Sequence, residues 1–555
     1  MEERKDELLH NSFNNTLEQK EVRQKKKILT QIIKLILIFL SPFLELLIRF
    51  IFFPKKNKNL CEIGEEDKCL SCINDECNSC NYRYELVNGK CQAMFSFRAV
   101  YETKNKSEYV NLLNDMYIEY ITDVIIDKKR VNICTNYNFF MPGNHTVYVT
   151  MNIETLNSLS LFNDNSHLIS VYFTKQFNTQ KIISLDYNFY NCENVISIDI
   201  SNFILEGMKN MVSLFDGCKS LKYLKLPNSN TPILENMEYM FFLCEQLTSI
   251  DLSKFNTRNV VNMEYLFYGC RSLKEIDLSN FSTQNVINMA GLFYNCSSLT
   301  SIDLSNFNVE KVENMEKMFK NCESLKSIDL SNLNTIKVTE MSELFKGCTE
   351  LTSINLLNFN TKNVKNMALM FSYCSSLTSI DVSSFDTSNV EDMGLMFAGC
   401  ESLKNIDLSN FNTENVKNMK FMFSFCTSIT SINIDNFNTK NVINIDDMFS
   451  YCNSLHYINL NSFNIEKLED MNYMFYECSS LTSIDLSSFN TQNIKEINDL
   501  FFDCSKLSFI DISYFSEYTS YINLFNGVSE YGIVKANKSI ISRLNIPKLW
   551  DILTF

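Results

Sequence analysis

Cys296-Ser-Ser-Leu299-Thr-Ser-Ile302-Asp303-Leu304-Ser305-Asn-Phe307-Asn-Val-Glu-Lys-Val312-Glu-Asn314-Met315-Glu-Lys-Met318-Phe319-Lys-Asn321 is followed at once by Cys322, where the same pattern begins again. Cysteines stand at 192, 218, 244, 270, 296, 322, 348, 374, 400, 426, 452, 478 and 504, each 26 residues after the last. A fixed period of this kind outranks any domain estimate from length, and most of the chain is therefore one stacked unit. Inside the unit, Leu299-x-x-Ile302-x-Leu304 puts Ile302 and Leu304 on one face of a short strand and Ser301, Asp303 and Ser305 on the other. Met315, Met318, Phe319 and Cys322 follow at i, i+3, i+4 and i+7, a spacing that predicts a two-turn helix. Asn314 and its counterparts Asn262, Asn288, Asn366 and Asn418 stand where an N-cap belongs.

The expected fold class is thus an α/β solenoid, a leucine-rich-repeat-like stack of thirteen strand–helix coils with a parallel sheet, over residues 166–528. A lone coil cannot bury its apolar face, so stability has to come from stacking, with strands about 4.8 Å apart. Phe189, Phe215, Phe241 and their successors to Phe501 form one expected aromatic ladder. Phe203, Phe255, Phe281, Phe307, Phe359, Phe385 and Phe411 form a second.

Outside the repeats, residues 1–27 are a polar tail ending Arg23-Gln24-Lys25-Lys26-Lys27, and residues 28–53 are dominated by Ile, Leu and Phe. A helix of that length rises about 39 Å, enough to cross a hydrocarbon core. Lys34, Glu45 and Arg49 lie inside it and Pro42 would kink it. The reading is an uncleaved signal anchor with a cytosolic tail, placing the protein in the plasma membrane as a single-pass chain with an extracellular C-terminal region. A cleaved signal peptide and an interfacial helix compete with it; no small-x-small cleavage site follows, the first alanine being Ala93.

Cys61, Cys69, Cys72, Cys77, Cys80 and Cys91 come next, as a disulfide-rich stalk over residues 61–91 or a zinc site on the two Cys-x-x-Cys pairs. Only four residues separate Cys72 from Cys77, short for a zinc ribbon, so disulfides are preferred. Residues 92–165 carry alternating apolar runs around Pro142-Gly143-Asn144 and read as a β-rich cap, with residues 529–555, including Trp550, closing the far end.

The formal charge of −15 opposes binding to phosphate backbones, and nucleic acid is not an expected partner. Four scattered histidines (His10, His145, His167 and His456) and no nucleophile elbow, phosphate loop or metal motif give no case for an enzyme, a cofactor or a metal. The cysteine column could be a redox or metal array, but at the end of an apolar stripe it reads better as inert buried thiols. Asp251, Asp277, Asp303, Asp329, Asp381 and Asp407 line the strand face, either as a solvated polar surface or as a site for a basic or polyhydroxylated ligand with Ca²⁺ assistance. The second coil departs from this, with Lys225 and Pro227, as a decayed repeat or a distinct patch. Asn105, Asn144, Asn280, Asn295 and Asn537 head glycosylation sequons that would act outside the cytosol.

Two resemblances follow from these residues. Cys69-Leu-Ser-Cys72, Cys77-Asn-Ser-Cys80 and Tyr84-Glu-Leu-Val-Asn-Gly89-Lys-Cys91 are similar to furin-like and EGF-like cysteine-rich modules, which implies an oxidising compartment. The pattern Leu-x-x-Ile-Asp-Leu-Ser-x-Phe-Asn-Thr with Asn-Met-x-x-Met-Phe-x-x-Cys resembles the 26-residue repeat of BspA-like leucine-rich-repeat surface proteins. That family implies surface display and adhesion or recognition of a protein or glycan ligand. An intracellular, membrane-attached interaction scaffold is the alternative, and an enzyme sited in the cap a third reading.

Overall fold

The computed structural model describes residues 69–73, 76–80, 85–87, 90–92, 94–173 and 181–554. Residues 1–67 with 71–78 cluster as one unit and the rest as another. Residues 1–27, the apolar stretch 28–53 and Cys61 lie outside the described residues, and Cys69, Cys72, Cys77, Cys80 and Cys91 are described by backbone alone, so the disulfide expectation falls on undescribed sulfurs. The plasma-membrane expectation is corrected: among the described residues no helix is long and apolar enough to cross a membrane.

The second unit is a solenoid of parallel coils, with about fourteen turns. Isolated parallel bridges join Ser158, Ser184, Asn210, Asn236 and every equivalent residue down to Asp470, one per coil. Continuous strand pairing is confined to a few coils, as between Ser327–Asp329 and Ser353–Asn355, or Ser483–Asp485 and Phe509–Ile512. In the unit around Cys296, Leu304 is buried and Ile302 packs on the core while Ser301 and Asp303 face solvent, the alternation a strand requires.

Among the described residues the expected helices are absent from the coils, and strand–helix coils are replaced by strand–turn coils. The described helices are two 3₁₀ segments outside the repeats, Asp115–Tyr120 and Ile541–Arg543. From Met263 to Cys270 every N–H can be traced. Met263, Tyr265, Phe267 and Gly269 donate to Asn288, Ala290, Leu292 and Tyr294 of the next coil, while Leu266, Tyr268 and Cys270 close back on the carbonyl three residues earlier. Glu264 N–H goes to Asn262 Oδ1, so the asparagine caps its segment as expected, but the segment is a pair of turns. A helix would direct the N–H groups beyond its first turn along its own axis, leaving no alternating row of them to tie the coils together. So short a helix also has little stability of its own. The residues Tyr265 and Gly269 take positive φ, 50° and 72°, which ends helical geometry twice per coil.

Packing confirms the aromatic ladder. Phe189 to Phe501 stack on their neighbours at centroid distances between 5.4 Å, at Phe319–Phe345, and 6.0 Å, at Phe475–Phe501. The second ladder is looser, 6.4 Å at Phe359–Phe385 and 6.5 Å at Phe385–Phe411. Each ring is covered by the coils on either side, so its burial, about 1.5–3 kcal/mol per side chain, exists only in the stack. Two polar columns run through the same interior. Thr413 Oγ1 donates to Asn438 O at 3.0 Å and accepts Asn438 N–H at 2.7 Å, an exchange repeated at Thr257, Thr283, Thr335, Thr387 and Thr439. Cysteine thiols donate to the phenylalanine carbonyl 29 residues earlier, as Cys322 does to Phe293 O at 3.2 Å.

Ahead of the repeats, Met94–Thr103 pairs antiparallel with Gly143–Asn152 on one side and Leu168–Phe173 on the other. Leu168–Phe173 pairs parallel with Ser197–Asp199, so a seven-stranded sheet passes directly into the solenoid. Lys225, the exception in the second coil, lies in the next parallel strand and pairs with Asp199 at 3.3 Å. At the other end Trp550–Thr554 continues the parallel order, and the Trp550 indole donates to Ser529 O.

Candidate binding surfaces

The strand face carries the six aspartates singled out in the sequence, all exposed. Each is already engaged: Asp251, Asp277, Asp303, Asp329, Asp381 and Asp407 accept the N–H of the serine two residues on, at 2.9–3.0 Å. These serines hold the carboxyls below the usual range. The hydroxyl is the larger cause at Asp251, Asp277, Asp329 and Asp381, and the N–H at Asp303 and Asp407. Asp is selected here because its short carboxylate closes a local turn. Among the described residues, no group of three or more His, Cys, Asp or Glu side chains is placed to hold a metal ion.

The turn face is different. Each coil needs two left-handed residues, and the two columns fill that need differently. The second column is Gly, Asn or Asp in eight of thirteen coils: Asn191, Gly217, Gly269, Asn295, Asn321, Gly347, Gly399 and Asp503. The first column runs Tyr187, Ser213, Tyr239, Tyr265, Gly291, Lys317, Glu343, Leu369, Leu395, Phe421, Asp447, Tyr473 and Asp499, with φ between 50° and 59°. A left-handed residue with a Cβ costs about 1–2 kcal/mol that glycine avoids. Bulky side chains are kept in the first column against that cost.

Together with side chains of neighbouring columns, those residues pave the face in three zones. Near the start, Tyr239 stacks on Tyr265 at 5.5 Å, Phe242 on Tyr268 at 4.3 Å, and Tyr268 meets Tyr294 edge-on at 4.6 Å. Asp186, Asp216, Glu238 and Glu264 lie among these rings, and burial raises all four pKa values, Asp216 to about 6. Their hydrogen-bond partners are neutral: Val212 N–H, Ser213 Oγ, Asn262 Nδ2 and Asn288 Nδ2 respectively. In the middle zone the chain supplies its own cations. Glu343 is met by Lys320 at 2.6 Å, Lys346 at 3.1 Å and Lys317 at 3.7 Å. Burial acts to raise the Glu343 pKa, but the three ammoniums outweigh it and hold it low. Farther on, Phe425 stacks on Tyr451 at 4.2 Å and Tyr476 on Phe502 at 4.8 Å.

The remaining sequence candidates fall elsewhere. All thirteen repeat cysteines are buried free thiols, with Cys296, Cys348, Cys400 and Cys478 pushed up to about 12 by burial, so they sit as S–H groups. Among the sequons, Asn105, Asn144 and Asn280 are exposed and Asn295 and Asn537 half-buried. Asn280 Nδ2 already bonds Ser253 O, and Asn537 accepts from Ser539. A shallow depression lined by Lys365, Asn389, Glu391, Asn415 and Lys417 is satisfied internally: Lys417 meets Glu391 at 2.6 Å and both amides bond backbone carbonyls. The turn-face aromatics are hard to single out in the sequence because their columns vary in residue type from coil to coil. The available signal is Tyr187, Tyr239, Tyr265 and Tyr473 recurring at multiples of 26.

Comparison with solved structures finds a leucine-rich repeat protein from Eubacterium ventriosum, 16% identical over 66% of this chain and 92% of that one, with a TM-score of 0.29. The TLR13 chain of a TLR13–ssRNA13 complex is 17% identical over 60% of this chain, with a TM-score of 0.19, and this chain spans 51% of its length. No curated protein matches. The model of a family described as "Mycoplasma protein of unknown function, DUF285" matches residues 136–249, 235–351, 325–432 and 423–532. Those four matches run along the solenoid for most of its length, and the chain belongs to the DUF285 family of repeat proteins.

Proposed function

We propose that this solenoid is a recognition module for protein partners, working through its turn face and without catalysis. The observation that carries the reading is the first left-handed column, where Tyr, Phe, Leu, Lys and Glu stand at positions that glycine would fill with less strain. Backbone strain tolerated in coil after coil supports a demand for the side chains themselves. The strand face has a weaker claim, since its carboxylates serve their own turns. Adhesion, implied by the BspA-like resemblance, and scaffolding are two uses of such a surface.

A photo-crosslinking amino acid placed at Tyr239 or Tyr473 on the turn face, and at Ser301 or Lys326 on the strand side, tests this. Protein adducts that concentrate at the turn-face positions and are competed by excess unlabelled solenoid are the expected result. Specific adducts confined to the strand side would overturn it.

A further inference from the structure

We propose that the turn face of the first coils takes lysine or arginine side chains from an extended segment of the partner, seated over its tyrosine rungs and between its carboxylates. This rests on the turn-face reading above and names the chemistry recognised there.

The chain shows the occupant on its own last rung. Lys320 Nζ lies 4.8 Å from the centre of the Tyr294 ring, so an ammonium from the next coil covers the end of the Phe242–Tyr268–Tyr294 row that runs beside the first column. Toward the N-terminal side that internal supply thins: Lys317 still acts on Tyr265 and Arg271 on Tyr268, while only acidic groups and other tyrosines act on Tyr239 and Tyr187. The first column offers Tyr265, Tyr239 and Ser213, and then Tyr187, whose surface is 48% exposed. Around them the four carboxylates Asp186, Asp216, Glu238 and Glu264 make hydrogen bonds to neutral groups only, and no lysine or arginine among the described residues pairs with them. The contrast with Glu343, which draws three lysines one zone farther along, shows what a half-buried carboxylate on this face accepts when a cation is in reach.

Electrostatics favour the same occupant. Each of the four carboxyls is held up by burial, and Glu264 also by Glu238 and Glu316, so the zone carries negative charge under stress that a cation relieves. Tyrosine faces add their negative quadrupole to that field. An anionic ligand meets both these carboxylates and a chain of net charge −15. Arginine fits best, since its planar guanidinium stacks on a ring and forks to a carboxylate at once.

The probe is a fluorescent octapeptide of alternating arginine and glycine, offered to the full chain beside its citrulline counterpart and a neutral glucose oligosaccharide. The arginine peptide binds, weakens by about tenfold between roughly 50 and 300 mM salt, and exceeds the citrulline peptide by about tenfold or more. Glu238→Gln with Glu264→Gln keeps the side-chain shape and removes the charge. That variant loses about tenfold in affinity at an unchanged melting temperature. Equal binding of the citrulline peptide, undiminished binding by the double variant, or binding of the oligosaccharide alone overturns the assignment. If the arginine peptide fails while crosslinks still map to the turn face, the cationic chemistry is wrong and the recognition reading stands. Crosslinks confined to the strand side remove the recognition reading itself.

Discussion

Thr413→Val isolates the polar stitching of the stack from its packing. The threonine is fully buried, and its hydroxyl both donates to Asn438 O and accepts Asn438 N–H. Valine has nearly the same shape, so no cavity opens, and what disappears is one reciprocal pair of bonds. A stranded buried donor costs about 1–3 kcal/mol. Two features set the expectation at the low end. Asn438 is itself exposed at the coil surface, so water reaches its amide in part, and Leu205, Val309 and Ile465 occupy the equivalent place in three native coils. A loss of about 1.4 kcal/mol is therefore expected, which speeds hydrogen exchange at the Asn438 amide about tenfold. Exchange is the right assay because a long repeat array need not unfold as one unit. Thr413→Ser retains both bonds and stays within about threefold of the parent. Equal exchange in the Val and Ser variants would refute the stitching.

The same geometry predicts three further outcomes. Gly347→Ala places a methyl group against Asn321 Oδ1 at φ +75°, so it should lower stability by about 1–2 kcal/mol, read as a lower melting temperature, and an unchanged value would show that the turn is not constrained. Burial raises the pKa of Asp446 to about 7 and Asp447 to about 8; Asp470 adds to both shifts while Lys420 opposes them. Raised carboxyls make the folded chain the better proton binder, so their stabilisation is full below the ordinary carboxylate range and lost as pH rises through about 7 to 8. Amide protection in these coils should fall from about pH 4 to about pH 8 and level off above that, and Asp446→Asn with Asp447→Asn should flatten the profile. Finally, a thiol alkylating reagent at about pH 8 should spare the thirteen repeat cysteines in native protein and label them all in denaturant, with half-buried Cys134 reacting first. Native labelling of the repeat peptides, read by mass spectrometry, would contradict their buried S–H state.

The period, the strand alternation and the phenylalanine ladder are all legible in the sequence because each depends on residue type alone. The helix expectation fails for a physical reason. Two consecutive turns with a left-handed third residue bring Met263, Leu266, Phe267 and Cys270 to one side, which is the spacing a helix produces. Asn262 resembles a helix cap because it does cap, accepting the N–H two residues on, and an isolated unit does not reveal whether a helix or a pair of turns lies beyond that cap. The contrary signal is Gly or Asn recurring one residue before the cysteine, as at Gly217, Gly269 and Asn321, where a helix of this length would lose stability. On the strand face, the aspartates are visible in the sequence while their capture by Ser253, Ser279 or Ser305 is not, since a carboxylate that closes a turn and one that waits for a ligand look alike there.

Every bond that ties coil to coil is written as an offset. Thr413 finds a residue 25 positions ahead, Cys322 one 29 behind, and Asn285 one 27 behind. No coil refers to a unique address. Unequal recombination that deletes or duplicates a whole 26-residue block therefore hands each surviving coil an equivalent neighbour, whereas a single inserted residue breaks the bonds that span it and leaves the later coils in register with one another. Such a gene can change the reach of its product in steps of one coil, and reshuffle the order of its tyrosine, lysine and glutamate rungs, without the interior having to be reinvented.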